Sequence, residues 1–162
     1  MLAVSIKLTK KKAATILFII FALLCIAAVI FSMVKKSEEK VNYTAADAAG
    51  CVEFLKQFGW EVNPAPLKEE KIVIPAELDD VYKEYNEIQK AQGLDISLYT
   101  GKEVTHMQFE VTNYPGGMEN IEANLLIYDS QVIAGDICNV RLNGFMHGFD
   151  LTGTGLAFGS GE

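Results

Sequence analysis

The sequence predicts an α+β domain behind a single N-terminal membrane helix. Three observations predict it. The run Ala13–Val34, "AATILFIIFALLCIAAVIFSMV", contains no charged residue. Two later stretches carry apolar residues at helical spacing, and the last third alternates apolar with polar residues, as strands with one buried face do. The expected order after the membrane helix is α-β-β-α-β-β-β, with two helices packed on one face of an antiparallel sheet.

The uncharged run is 22 residues long. As a helix it spans roughly 33 Å, enough for a bilayer core of about 30 Å. A core helix of this length would show a polar face, and none is present. Lys7, Lys10, Lys11 and Lys12 precede the run, whereas Lys35, Lys36 and Lys40 follow it mixed with Glu38 and Glu39. That bias keeps the N-terminus in the cytoplasm. The apolar region is long and its exit "FSMVKK" is bulky, unlike a cleaved secretory signal, and Leu24 before Cys25 is not the small residue that lipid attachment wants. The reading is an uncleaved signal anchor. Residues 1–12 form a basic cytoplasmic N-terminus, 13–34 the transmembrane span in the lipid bilayer, and 35–43 a juxtamembrane spacer. Residues 44–150 form an extracytoplasmic α+β domain, and 151–162 a glycine-rich tail expected to be disordered.

The chain carries a net charge of −7, unevenly spread. Residues 41–162 hold six lysines and Arg141 against 19 acids, a balance of −12. Nucleic acid and anionic bilayer surfaces need a basic footprint, so the outer domain is not expected to bind either. Of the three cysteines, Cys25 lies in the membrane run, and Cys51 and Cys138 fall outside it, where a disulfide can form. Cys51 reads as a helix core position and Cys138 as a strand residue. Two separately buried thiols and a Cys51–Cys138 bridge both stay open, because sequence does not set their separation.

Element by element, Thr44 reads as an N-cap with Asp47 as its capping-box acid, and Ala48, Cys51, Val52, Leu55 and Phe58 recur at helical spacing. Gly59 closes that helix, and Trp60 folds back on its last turn. "WEV" is extended, "NPAP" is not helical, and "KIVIP" (Lys71–Pro75) is a short strand. A second helix runs from Ala76 to Gln92 with Leu78, Val81, Tyr82, Tyr85 and Ile88 as its inward stripe, and stops at Gly93. "EVTHMQFEVTNY" puts Met107, Phe109 and Val111 on one face, "IEANLLIY" puts Ala123, Leu125 and Ile127 inward, "DS" is a two-residue hairpin, and "QVIAGDICNV" is the third strand of a meander.

Several of these stretches together resemble a known family: "FLKQFGWEVNPAP", "IPAELDDVYKEYNEIQKAQGLDISLYTGKEV", "FEVTNYPG", "ANLLIYDSQVIAGDICN" and "GFMHGF". The resemblance is to the bacterial domain of unknown function 4830, small membrane-anchored proteins of Gram-positive bacteria, and it covers Val52–Phe149. It implies a signal-anchored envelope domain and brings no activity and no catalytic residues.

The chemistry-bearing residues form no complete motif. Cys138, His147, Asp136 and Asp150 are the pieces of a nucleophilic site without a pattern that fixes their geometry. Outside the membrane run, Cys51, His106, Cys138 and His147 have no paired spacing, so no metal and no cofactor is expected. "GKEV" lacks the upstream glycine of a phosphate loop. "LNGFMHGF" is unusually apolar for a loop. Phe145, Met146, His147 and Phe149 are the candidate binding residues, either docking a protein or peptide of the envelope or closing the core. The expected function is a non-enzymatic binding or regulatory module anchored in the cell membrane. The alternative is a small hydrolase-like enzyme using Cys138 or His147.

Overall fold

A computed structural model describes Ile26 and residues 40–151; the expectations for residues 1–12, for the span 13–34, for 35–39 and for the tail from 152 lie outside them. Among the described residues no helix is long and apolar enough to cross a membrane. The chain divides into two units, residues 1–41 and 42–162, and every element named below belongs to the second.

Helix α1 spans Ala48–Lys56. Its cap is Asp47, not Thr44: the Gly50 N–H donates to Asp47 Oδ1 at 2.9 Å, while Thr44 forms a lone bridge to Gln131. A carboxylate at this position satisfies an orphan donor, as a threonine hydroxyl would, and its charge also complements the helix dipole. The helix closes as its sequence suggests, with Gly59 at φ 86° and the Trp60 N–H donating to Leu55 O at 3.2 Å. Trp60 is thereby turned into the core, where it is fully buried.

Strand β1 is Lys68–Val73 and helix α2 is Asp80–Ala91. The helix starts four residues after the expected Ala76 because Asp79 takes the cap, accepting from the Tyr82 N–H at 2.9 Å. Strands β2 (Glu103–Glu110), β3 (Ile121–Tyr128), β4 (Gln131–Asn139) and β5 (Met146–His147) complete one antiparallel sheet in the order β1-β2-β3-β4-β5. The observed order is α-β-α-β-β-β-β. "WEV" contributes only the single bridge Val62↔Val111, since Pro64 and Pro66 cannot donate to a ladder. The fifth strand is Met146–His147 instead, paired with Cys138 and Ile137. The β3–β4 hairpin turns through Asp129 and Ser130, both at positive φ (50° and 60°), as a two-residue loop requires.

Register sorts the two faces. Phe109, Ala123 and Ile137 are cross-strand neighbours on one; Gln108, Asn124 and Asp136 on the other. Helix α1 lies on the first, its Cys51 thiol 3.6 Å from Met107 Sδ and its Phe54 ring packed edge-on against Phe149 at 4.9 Å. Helix α2 lies on the second, where Tyr82 and Tyr85 pack on Val104, Leu126, Ile133 and Ala134. The expectation of two helices on one face is therefore corrected to one helix on each. The cause is a sheet apolar on both sides: Val104, Leu126 and Ala134 alternate with inward residues of the opposite face, so both faces need cover.

The face that α2 turns inward matches the predicted stripe only in part: Tyr82 and Tyr85, with Leu78 just before the helix, pack on the core. Asn86 and Gln89 are buried, and Val81 is 74% exposed. The reason lies at the edge of β4. Strand β5 pairs only at Ile137 and Cys138, and glutamine amides take over where it ends. The Gly135 N–H donates to Gln89 Oε1 (2.9 Å), and Gln92 Nε2 donates to Gly135 O (2.8 Å) and to Gln89 Oε1 (2.8 Å). The Phe149 N–H then donates to Gln92 Oε1 (2.8 Å). A buried peptide group must be paired, and two side chains here stand in for a strand. A Cβ at Gly135 would run into the Asn124 carbonyl and the Phe149 ring. Gly135→Ala is expected to destabilise the domain by about 2 kcal/mol, in the range of overpacked cores, read as a lowered urea midpoint.

Candidate functional site

Helix α2 and strand β5 border a groove of about 430 Å³ lined by Val81, Tyr82, Glu84, Tyr85, Ile88 and Met146. The rotation of α2 that buries Asn86 and Gln89 is what leaves Val81 outward. Met146 reaches the same side because it pairs with Cys138, whereas His147 pairs with Ile137 and points to the opposite face. Val81 (74%) and Met146 (46%) are exposed large apolar residues, and the β4–β5 hairpin adds Val140 and Leu142, the latter 95% exposed. Glu84 is the acid of this lining. Its helix neighbours Asp80 and Glu87 pair with Lys83 (3.1 Å) and Lys90 (2.9 Å), while Glu84 makes none of the ion pairs found among the described residues.

Tyr85 links the groove floor to a polar track across the sheet. Its hydroxyl donates to Asp136 Oδ2 at 3.2 Å. Asn124 Nδ2 donates to Asp136 Oδ1 at 3.0 Å and to Cys138 Sγ at 3.3 Å. That fixes the Asn124 amide, so its Oδ1 accepts from Gln108 Nε2 (2.9 Å) and faces His106 Nε2 (3.2 Å). The track ends at Glu70, 3.4 Å from His106 Nδ1. Asp136 is only 2% exposed, and burial raises its carboxyl above the ordinary range against the pull of the Asn124 and Tyr85 hydrogen bonds. Burial first, then the Asp136 charge, holds the Tyr85 phenol well above its usual value, so it stays a donor. Every oxygen of Asp136 is thus occupied from within the fold. The track orders the sheet face; it does not present a free base.

The residues singled out from sequence fall in three places. Phe145 and His147 join Trp60 and Tyr114 in an aromatic cluster: His147 stacks on Phe145 at 5.7 Å, and Trp60 on Tyr114 at 5.7 Å. His147 Nδ1 lies 2.6 Å from Gly148 O, where only an N–H fits, and Nε2 faces the Tyr114 hydroxyl at 3.1 Å. Phe149 is fully buried, and its carbonyl accepts from Trp60 Nε1 at 2.6 Å. Only Met146 of the four enters the groove.

Cys51 and Cys138 are free thiols and the sheet separates them. Cys51 sits under α1 against Met107, and Cys138 is on the α2 face beside Asp136. The bridge left open by the sequence is not formed. Cys138 and His147 likewise lie on opposite faces, so they do not assemble as nucleophile and base. Desolvation pushes both thiols up to about 12, with Asp47 adding at Cys51 and Asp136 at Cys138. Among the described residues no group of three or more His, Cys, Asp or Glu is placed to hold a metal ion.

Sequence reasoning missed Val81 and Glu84 as groove residues and missed the track from Tyr85 to Glu70. A signal for the track was available: Asn124 and Asp136 are polar residues set between apolar neighbours at directly paired positions of two strands.

The family model of the domain of unknown function DUF4830 matches residues 54–137, just over half of the chain. The protein belongs to this family, and the match runs from α1 into β4. No curated protein and no solved structure matches it.

Two measurements follow. In a Cys25→Ser background, iodoacetamide at pH 8 is expected to leave Cys51 and Cys138 unlabelled in the native protein and to label both after denaturation, because the thiolate is the reactive form. For Asp136, a raised native pKa means the unfolded chain gives up its proton first. Stability contributed through this group therefore falls as pH rises from about 4. Asp136→Asn removes that dependence, so urea midpoints should show the variant gaining on wild type between pH 4 and 7.

Proposed function

We propose that this is a membrane-anchored module that displays one acidic α+β domain outside the cell and docks a protein partner of the envelope in the groove between α2 and β5. What supports the anchor is the 22-residue uncharged run Ala13–Val34 with lysines on both flanks. The observation that carries the docking surface is the exposed apolar set Val81, Met146 and Leu142 on a strongly acidic domain, where apolar groups of this size otherwise favour burial. The reading shifts the docking residues from Phe145, His147 and Phe149, which the aromatic cluster and core occupy, to Met146 together with α2. The rival reading, a small hydrolase using Cys138 or His147, draws no support from two groups on opposite faces of the sheet.

Crosslinking in native membranes with the tagged full-length chain tests this. A partner identified by mass spectrometry should be lost in Val81→Ser/Met146→Ser and retained in Phe145→Leu. Retention of every partner in the double variant, with the same thermal midpoint as wild type, would return the groove to an ordinary surface.

A further inference from the structure

Resting on that docking reading, we infer that the groove takes an amphipathic protein segment that carries lysine or arginine beside its apolar residues. Three observations converge on this chemistry. The floor and walls are apolar and aromatic: Val81, Tyr82, Tyr85, Ile88 and Met146 offer seats for one or two aliphatic side chains. Glu84, the acid of the same lining, has no lysine partner among the described residues, while Asp80 and Glu87 on either side are paired. A carboxylate beside desolvating apolar walls is a stronger partner for a cation than one in open water. The two tyrosines add ring faces on which a guanidinium or ammonium rests favourably.

The alternative occupants fit less well. A second copy meeting this one through the same groove would set Glu84 toward Glu84, between domains that each carry −12 over residues 41–162. An anionic lipid surface is repelled by the same balance. A basic segment gains from the acidic field as it approaches and from Glu84 once seated, so its affinity must fall with salt.

The test uses the full chain in phosphatidylcholine nanodiscs, with empty discs as blank, and two labelled 14-residue peptides. Both carry leucines at i, i+3, i+4 and i+7; one has lysines on the flanks and the other glutamates. Fluorescence anisotropy is expected to show the lysine peptide binding at least about tenfold tighter than the glutamate peptide, with affinity falling on salt addition. Glu84→Gln should weaken the lysine peptide about three- to tenfold and flatten the salt dependence, while Glu103→Gln, an acid outside the groove, leaves both unchanged. Met146→Ser should weaken the lysine peptide about tenfold. Equal loss in Glu84→Gln and Glu103→Gln would overturn the inference, since attraction would then be diffuse. Equal binding of the two peptides, still sensitive to Met146→Ser, would overturn the basic partner and keep the docking groove. Insensitivity to Met146→Ser together with an unchanged crosslinking pattern in Val81→Ser/Met146→Ser would overturn both.

Discussion

The structure depends on how the peptide group of Gly135 is satisfied. A strand as short as β5 leaves the edge of β4 open, and a buried open edge costs the desolvation of every unpaired donor and acceptor along it. Gln89 and Gln92 close it with four hydrogen bonds among Gly135, Phe149 and each other. Because both amides sit at the C-terminal end of α2, the contact sets the rotation of that helix about its axis. Gly135 has no side chain, so the Phe149 ring occupies the space beside it on the α1 face. One residue thus joins the two cores: the α2 helix through its amides, and the α1 layer through Phe149, whose carbonyl in turn receives the Trp60 indole N–H.

From that constraint the surface follows. Held at Gln89 and Gln92, the helix turns Tyr82 and Tyr85 inward and leaves Val81 outward. The polar track serves the same geometry from the other end. Tyr85, tied to Asp136, keeps α2 seated over the sheet, and Asn124 and His106 carry the hydrogen-bonded order on to the β1 edge. The aromatic cluster of Trp60, Tyr114, Phe145 and His147 pins β5 on the opposite face, which is what delivers Met146 to the groove by strand alternation. Stability and surface chemistry are here two results of one arrangement.

How much of this was legible in the sequence varied with the kind of force involved. Period-2 alternation placed β2, β3 and β4 and correctly oriented Met107, Phe109, Ala123 and Leu125, because hydrophobic burial decides strand faces. Gly59, Gly93 and the Asp129–Ser130 turn were readable because positive φ selects few residue types. The failures share a cause. The inward stripe of α2 was read from apolar residues, which placed Tyr82 and Tyr85 correctly, but amide hydrogen bonds turn Val81 out of it, and Asn86 and Gln89 look like surface residues to any hydropathy scale. The second apolar face of the sheet was visible in Val104, Leu126 and Ala134 yet outweighed by their alternating neighbours. For the candidate site, Met146 was named for its place in an apolar loop, and its companions were not, since the groove joins residues some 60 positions apart in the chain.

The two ends of the sheet close in different ways. The outer strand β1 is written Lys-Glu-Glu-Lys over its first four residues, and the far edge is only two residues long before glutamine side chains replace it. Neither border offers an uninterrupted, uncharged run of peptide groups to a neighbouring chain. Molecules of this design can therefore crowd side by side at high local density without their sheets merging into a continuous ladder. What they share with their surroundings is confined to side chains, and recognition is decided by shape and charge instead of by the backbone.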